Sequence, residues 1–216
     1  MHTTNNQRIL IFTGGNLGSW ALDEIRQGDY IIGADHGAVY LLNHNISPDL
    51  SVGDFDSVTP LELENIRHHS KAIDSCDAVD KDLSDTEMAF KQALDRNPQE
   101  IVILGALGTR FDHSLANVHL LREGLKSGIT CRIVDEYNEI RVIDQPAFIQ
   151  KSRYIYVSLL PLSLEVTGIT LHGFQYPLHE ATLHLGQSLA ISNILVSDTG
   201  KIDIQSGLLL VIQSID

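Results

Sequence analysis

Cysteine is scarce in this sequence, with only Cys76 and Cys131 in 216 residues. The two form no CxxC pair and have no zinc-type spacing with histidine, which argues against a disulfide framework or a cysteine zinc site. Cys131 lies in the apolar run Cys131–Val134, where a reduced, buried thiol is expected. Long apolar runs are also missing, and none approaches the roughly 20 residues of a membrane helix. The polar start, Met1–Gln7, lacks the basic and apolar regions of an export signal. The expectation is a cytoplasmic protein with no membrane contact. Positive charge is short: 15 Lys and Arg face 28 Asp and Glu, for a net charge of −13. Such acidity argues against a nucleic-acid partner, which calls for a basic face. It still allows a phosphate-bearing ligand, provided that a metal ion or a few placed cations offset the repulsion.

The hydrophobic fraction of 43% over 216 residues suffices for one large core or two small ones. The pattern favours two. Up to about residue 135, short apolar strands alternate with helices. Strands are expected at Ile9–Thr13, Tyr30–Ala34, Leu50–Gly53, Lys71–Asp74, Glu100–Leu104 and Thr130–Asp135. Helices are expected at Leu17–Arg26, Ala38–Asn43, Pro60–Arg67, Asp85–Arg96 and Asp112–Lys126. Ser84 and Glu87 have capping-box spacing before the fourth helix, and Asn97-Pro98 ends it. This alternation predicts an α/β domain with a doubly wound, mostly parallel sheet. From about Tyr137 strand-like runs follow one another without a helical period, at Ile140–Ile143, Phe148–Gln150, Tyr154–Leu159, Leu164–Thr167, Leu189–Ile191 and Leu208–Gln213. They predict a small all-β domain, a sandwich or open barrel. The boundary falls near Glu136–Gln145, giving domains 1–138 and 139–216.

An open parallel sheet binds ligands outside the carboxyl ends of its strands. The segments following those ends are Ala34-Asp35-His36-Gly37-Ala38, Gly53-Asp54-Phe55-Asp56-Ser57, Lys81-Asp82-Leu83-Ser84-Asp85, and Gly105 through His113. Successive strand ends therefore carry aspartate, most with glycine beside it. Mg²⁺ takes hard oxygen ligands, commonly one or two carboxylates plus substrate phosphates. Asp54 and Asp56, two apart, suit that task if the chain there stays extended, while Lys81 and Arg110 supply charge for phosphate oxygens. Each residue has a plainer alternative. Asp85 serves a helix dipole, Asp112 an N-cap, Asp54 to Ser57 a polar turn, and Lys81 a solvated surface. The shared edge favours a metal-phosphate site. Gly14-Gly15-Asn16-Leu17-Gly18 lacks the ending of a P-loop and the spacing of a dinucleotide fingerprint, and reads as a turn or a ligand contact. Trp20 reads as core and His68-His69 as surface.

Taken in order, these segments resemble the thiamine pyrophosphokinase family. Ala34-Asp35-His36-Gly37-Ala38 is similar to its Ala-Asp-Gly-Gly-Ala, and Gly53-Asp54-Phe55-Asp56-Ser57 to its Gly-Asp-Phe-Asp-Ser. Lys81-Asp82-Leu83-Ser84-Asp85-Thr86-Glu87 resembles Lys-Asp-x-Thr-Asp-x-Glu, and Gly108 through Asn117 resembles Gly-Gly-Arg-x-Asp-His-x-x-Ala-Asn. In the β half, Ser158 to Leu162, Val166-Thr167-Gly168, Gly173 to Leu178, Ser192-Asn193 and Ser206-Gly207-Leu208 are similar to the family's strand pattern. His36 replaces a glycine of the motif, and Ile194 stands where many bacterial relatives carry glutamate.

The resemblance implies an α/β domain that binds ATP and Mg²⁺, followed by a β-sandwich that binds thiamine. It further implies a homodimer with active sites at the interface. The reaction implied is transfer of ATP's β,γ-pyrophosphoryl unit to the thiamine hydroxyl, with release of AMP. By matching positions, Asp54, Asp56 and Asp85 hold Mg²⁺. Asp35, Lys81, Asp82, Arg110, Asp112 and His113 surround ATP. Ser84, Asp85, Ser192 and Asn193 contact thiamine, and Asp54, Asp85 and Arg110 carry catalysis. Two rivals are a diphosphokinase for another primary alcohol, such as a hydroxymethylpterin, and a thiamine- or nucleotide-binding regulator without catalysis.

Overall fold

The computed structural model describes residues 5–75 and 83–216. The chain divides into two compact units, Met1–Glu136 and Tyr137–Asp216.

The first unit holds strands β1 (Asn5–Phe12), β2 (Tyr30–Ala34), β3 (Leu50–Val52), β4 (Ile73–Asp74), β5 (Pro98–Leu104) and β6 (Thr130–Val134). Its helices are α1 (His36–Asn43), α2 (Pro60–His69), α3 (Asp85–Asp95) and α4 (Phe111–Lys126). The strands lie in the order β6-β5-β1-β2-β3-β4, and every pairing among them is parallel. Register explains how both faces are buried. Ile9 pairs with Ile101 and Ile101 with Cys131, so these side chains share one face. On that face a β-carbon added to Gly124 of α4 would meet both Cys131 and Phe90 of α3. Leu10, Phe12, Val102, Leu104 and Val134 share the other face, with Leu41 of α1 and Ala21 packed against them. A strand buried on both faces reads as a continuous apolar run, as Ile9–Phe12 and Ile101–Leu104 do. Each fully buried Ile, Leu or Phe contributes roughly 1.5–3 kcal/mol.

Three local readings change. Leu17–Arg26 forms only a short 3-10 helix, Ser19–Glu24. Gly18 at its start offers no side-chain cap, and extended Ile25 ends it. Trp20 packs partly buried against the core. Before α3, Ser84 accepts the Glu87 N–H at 3.2 Å, while Glu87 pairs with Lys91. The full reciprocal box lies at Thr59 and Glu62, before α2. Asp112 does not cap α4. The N-cap is Arg110, and Asp112 falls inside the first turn.

The second unit is all β: β7 (Asn138–Ile143), β8 (Ala147–Gln150), β9 (Tyr156–Pro161), β10 (Glu165–His172), β11 (Ala181–His184), β12 (Asn193–Ile194), β13 (Thr199–Asp203) and β14 (Leu209–Ser214). Antiparallel sheets β12-β9-β14-β7 and β11-β10-β13-β8 enclose one core. Val157, Leu159 and Val211 from one sheet meet Val166, Leu171 and Ile202 from the other. The expected sandwich is present. The strand expected at Leu189–Ile191 is absent: Leu189 and Ile191 are exposed and only Ala190 is buried. β11 and β13 escaped the sequence reading because polar outward residues leave few apolar marks, chiefly Leu183 and Ile202.

Candidate active site

β1 has β2 on one side and β5 on the other. The connections after β1 and β5 therefore diverge, which opens a crevice at their carboxyl ends. A cavity of about 320 Å³ lies there. Thr13, Gly14 and Gly15 line it from the β1 end, Ala34 and Asp35 from β2, and Ser84 and Asp85 from the start of α3. Gly105, Gly108, Arg110, His113 and Asn117 close the remaining side.

The carboxylates gather around Asp85. It is half-buried, and burial lifts its carboxyl above the usual range, as do the negative charges of Asp35, Asp54 and Asp56. The Asp54 backbone N–H donates to it and works in the opposite direction. Asp85 sits in the first turn of α3, whose N-cap Ser84 accepts a backbone donor. Asp54 and Asp56 follow β3 in a turn where the Asp56 N–H donates to Asp54 Oδ1 at 3.0 Å.

Asp35 has φ 48°, a region uncommon for any residue but glycine and a frequent mark of functional sites. Its Oδ2 accepts from Ser57 Oγ. Its Oδ1 is buried with no hydrogen-bond partner among the described residues. His36 replaces a motif glycine without closing the crevice, because its side chain is exposed. The close approach belongs to Gly37, where an added β-carbon would stand 1.9 Å from the Phe12 carbonyl oxygen.

Arg110 lines the cavity and pairs with Asp112, Nη2 to Oδ2 at 2.6 Å. Both side chains are largely exposed. This hydrogen bond holds Asp112 below the usual carboxylate range and raises Arg110 further. His113 is also exposed in the crevice. Lys81 and Asp82 lie outside the described residues. In the second unit, Ser192 has φ 55°, and its N–H donates to Ser158 Oγ at 3.0 Å. Asn193 is buried. Its Oδ1 accepts the Tyr176 N–H at 3.0 Å and its Nδ2 donates to the Tyr176 carbonyl at 2.7 Å.

Sequence reasoning assigned no site role to Asn117, Thr13 or Thr86, which also line the cavity. Asn117 was detectable, since it follows the site candidate His113 by four residues on α4 and so shares its helix face.

An all-carboxylate donor set with an orphaned Asp35 oxygen and a strained charge at Asp85 suits a hard divalent cation. Among the described residues no three His, Cys, Asp or Glu side chains form a ready-made metal cage. Mg²⁺ needs none, because it usually completes its shell with water and phosphate oxygens.

Residues 22–133 match the family model "Thiamin pyrophosphokinase, catalytic domain", and residues 146–209 match "Thiamin pyrophosphokinase, vitamin B1 binding domain". The chain belongs to the thiamin pyrophosphokinase family. The thiamine pyrophosphokinase of Bacillus subtilis (strain 168) is 37% identical over 187 residues, covering 86% of this chain and 87% of its own. A crystal structure of the Bacillus subtilis enzyme superposes with a TM-score of 0.90 at 34% identity, covering 97% of this chain and 99% of that one. A thiamin pyrophosphokinase from Geobacillus thermodenitrificans gives 0.88 at 30% identity, covering 97% and 98%. All the residues lining the cavity at the β1/β5 divergence except Thr13, Gly14 and Gly15 fall inside the segment matched as catalytic, and Ser192-Asn193 inside that matched as vitamin B1 binding.

Proposed function

We propose that the chain carries out the family's reaction at the β1/β5 crevice: ATP donates its pyrophosphoryl unit to the hydroxyl of thiamine, giving thiamine diphosphate and AMP. The observation that carries this reading is the convergence of Asp35, Asp54 and Asp56 on Asp85, a half-buried carboxyl whose pKa is raised first by burial and then by these charges. Like charges gathered at a strand-end crevice call for a cation, and a nucleotide's phosphates would bring one.

In this reading Asp54, Asp56 and Asp85 hold Mg²⁺, which when bound neutralises phosphate charge. Arg110 offsets further charge. Its pair with Asp112 is solvent-exposed, and such pairs are weak enough to exchange for phosphate. Asp35 and His113 flank the nucleotide, joined by Lys81, Asp82 and Asp112. Ser84 and Asp85 orient the alcohol, and Asp54 or Asp85 accepts its proton. Catalysis rests on positioning and fixed charge. The first unit acts as the ATP and Mg²⁺ domain, and the second binds thiamine through Ser192 and Asn193 at the start of β12. Asn193 spends its amide on Tyr176, so it would act there by holding the segment around Tyr176 in place.

The same reading includes a cytoplasmic homodimer with active sites at the interface. The reduced, buried Cys131 fits a reducing compartment.

Incubation with thiamine, Mg²⁺ and ATP, followed by chromatography, tests the reaction. Equimolar AMP and thiamine diphosphate are expected. Turnover of a hydroxymethylpterin in preference to thiamine would overturn the substrate, and binding without AMP release would overturn the activity. Asp54→Asn tests the metal: a loss of roughly 10²–10³ in rate is expected, and near-normal turnover would remove Asp54 from the metal site. Light scattering reports the dimer.

A further inference from the structure

We propose that Asn117 is a positioning residue that turns the Ala106 carbonyl away from the polyphosphate, keeping the loop after β5 receptive to an anion. The inference rests on the reading of the crevice as the nucleotide site.

The physical problem is polarity. Backbone N–H groups attract phosphate oxygens and carbonyl oxygens repel them, so a loop that cradles phosphates must turn its carbonyls elsewhere. Between β5 and α4 several carbonyls already have partners. The Leu104 carbonyl accepts from the Thr13 N–H at 2.9 Å and from Thr13 Oγ1 at 3.2 Å. The Leu107 carbonyl accepts from the Asn16 N–H at 3.4 Å. The Arg110 carbonyl accepts from the Ser114 N–H at 3.1 Å and from Ser114 Oγ at 3.2 Å. The Gly105 carbonyl oxygen lies against Gly15, so closely that a β-carbon there would stand 2.0 Å away.

The Ala106 carbonyl accepts from Asn117 Nδ2 at 2.8 Å. A carbonyl can only accept, so the amide must present its NH2 group. Asn117 is one of few buried polar residues, only 8% exposed, and it lines the same cavity as Ala106. It stands on α4, a 16-residue helix anchored in the core by Val118 and Leu121. The loop is thereby fixed to a rigid element rather than to solvent. Ser114, one turn earlier, also accepts the Gly108 N–H at 3.1 Å. A single helix face thus fixes both ends of the loop.

Asn117→Asp is the decisive variant. It keeps size and shape but sets an oxygen against the Ala106 carbonyl, so the peptide must rotate. Asn117→Ala removes the donor without adding charge, and Ser114→Ala weakens the other end. The expected result is a KM for Mg-ATP raised roughly tenfold to 10²-fold in Asn117→Asp, with less effect in the alanine variants. The KM for thiamine should stay at the wild-type value and the circular dichroism spectrum should be unchanged. The thermal shift given by Mg²⁺ with a non-hydrolysable ATP analogue should shrink in parallel, which reports on nucleotide binding without turnover. Wild-type KM values in both Asn117 variants would overturn the positioning role. A lowered Tm with unchanged KM for ATP would also overturn it, since the residue would then be merely structural. An inactive wild type that does not bind the analogue would instead overturn the nucleotide reading itself, and this inference with it.

Discussion

Gly53 and Asp85 meet across the crevice: a β-carbon on Gly53 would stand 3.2 Å from Asp85 Oδ1 and 3.5 Å from the Asp35 backbone nitrogen. Gly53 also has φ +146°, a conformation that L side chains rarely adopt. Gly53→Ala should therefore destabilise the fold by more than about 1 kcal/mol. It should also push Asp85 out of register with Asp54, lowering kcat by more than the lost stability explains. Urea unfolding and steady-state kinetics on one preparation measure both. Full activity would mean that the approach of these residues is incidental.

The raised pKa of Asp85 makes a pH-dependent prediction. Its folded-state value lies above the ordinary 3.8 because of burial and three neighbouring carboxylates. The folded state therefore holds the Asp85 proton more tightly than the unfolded chain does. Its stability contribution is present at pH below 3.8 and is lost as pH rises through the elevated value. Asp85→Asn should accordingly raise the Tm of the ligand-free protein at pH 7, and the gain should vanish toward pH 3.8. Added Mg²⁺ with nucleotide should stabilise the wild type more than the variant. A variant less stable than the wild type at pH 7 would show that the Asp54 N–H to Asp85 bond outweighs the repulsion.

At the opposite end of β1, Arg8 grips Asp29 with two parallel bonds, Nε to Oδ1 at 3.0 Å and Nη2 to Oδ2 at 2.8 Å. The Asp29 side chain is only 4% exposed. Breaking such a pair strands a buried charge. Arg8→Met should cost about 3–5 kcal/mol, and Arg8→Met with Asp29→Leu should recover much of it. The KM for ATP should not move in any of these variants that remain folded. Equal destabilisation in the single and double variants would show that the pair is not what the packing requires.

Burial and the nearby Glu100 push the Cys131 thiol up to about 12, so almost no thiolate forms near neutrality. Peptide-level mass spectrometry after iodoacetamide at pH 8 should find Cys131 unmodified in the native state and fully alkylated in urea. Comparable labelling in both states would contradict its burial.

The site was legible where chemistry and strand endings coincide. Asp35, Asp54, Asp56 and Arg110 come soon after short apolar runs and Asp85 opens a capped helix, and a parallel sheet gathers such positions on one edge. Asn117 was harder to see, because its task is set by a carbonyl eleven residues away that only packing brings near. The 3-10 turn at Ser19–Glu24 and the polar-faced strands β11 and β13 escaped for a related reason: local pattern is weak there and neighbouring elements decide.

The sequence by itself determined the alternation of strands and helices, the change to an all-β half, and the acidic, glycine-marked strand ends, because periodicity and turn chemistry act over a few residues. Tertiary structure alone decided that β1 lies between β2 and β5, that burial and three carboxylates raise a fourth, and that Asn117 faces Ala106. Those relations join residues distant in the chain, and strand order and packing set their geometry.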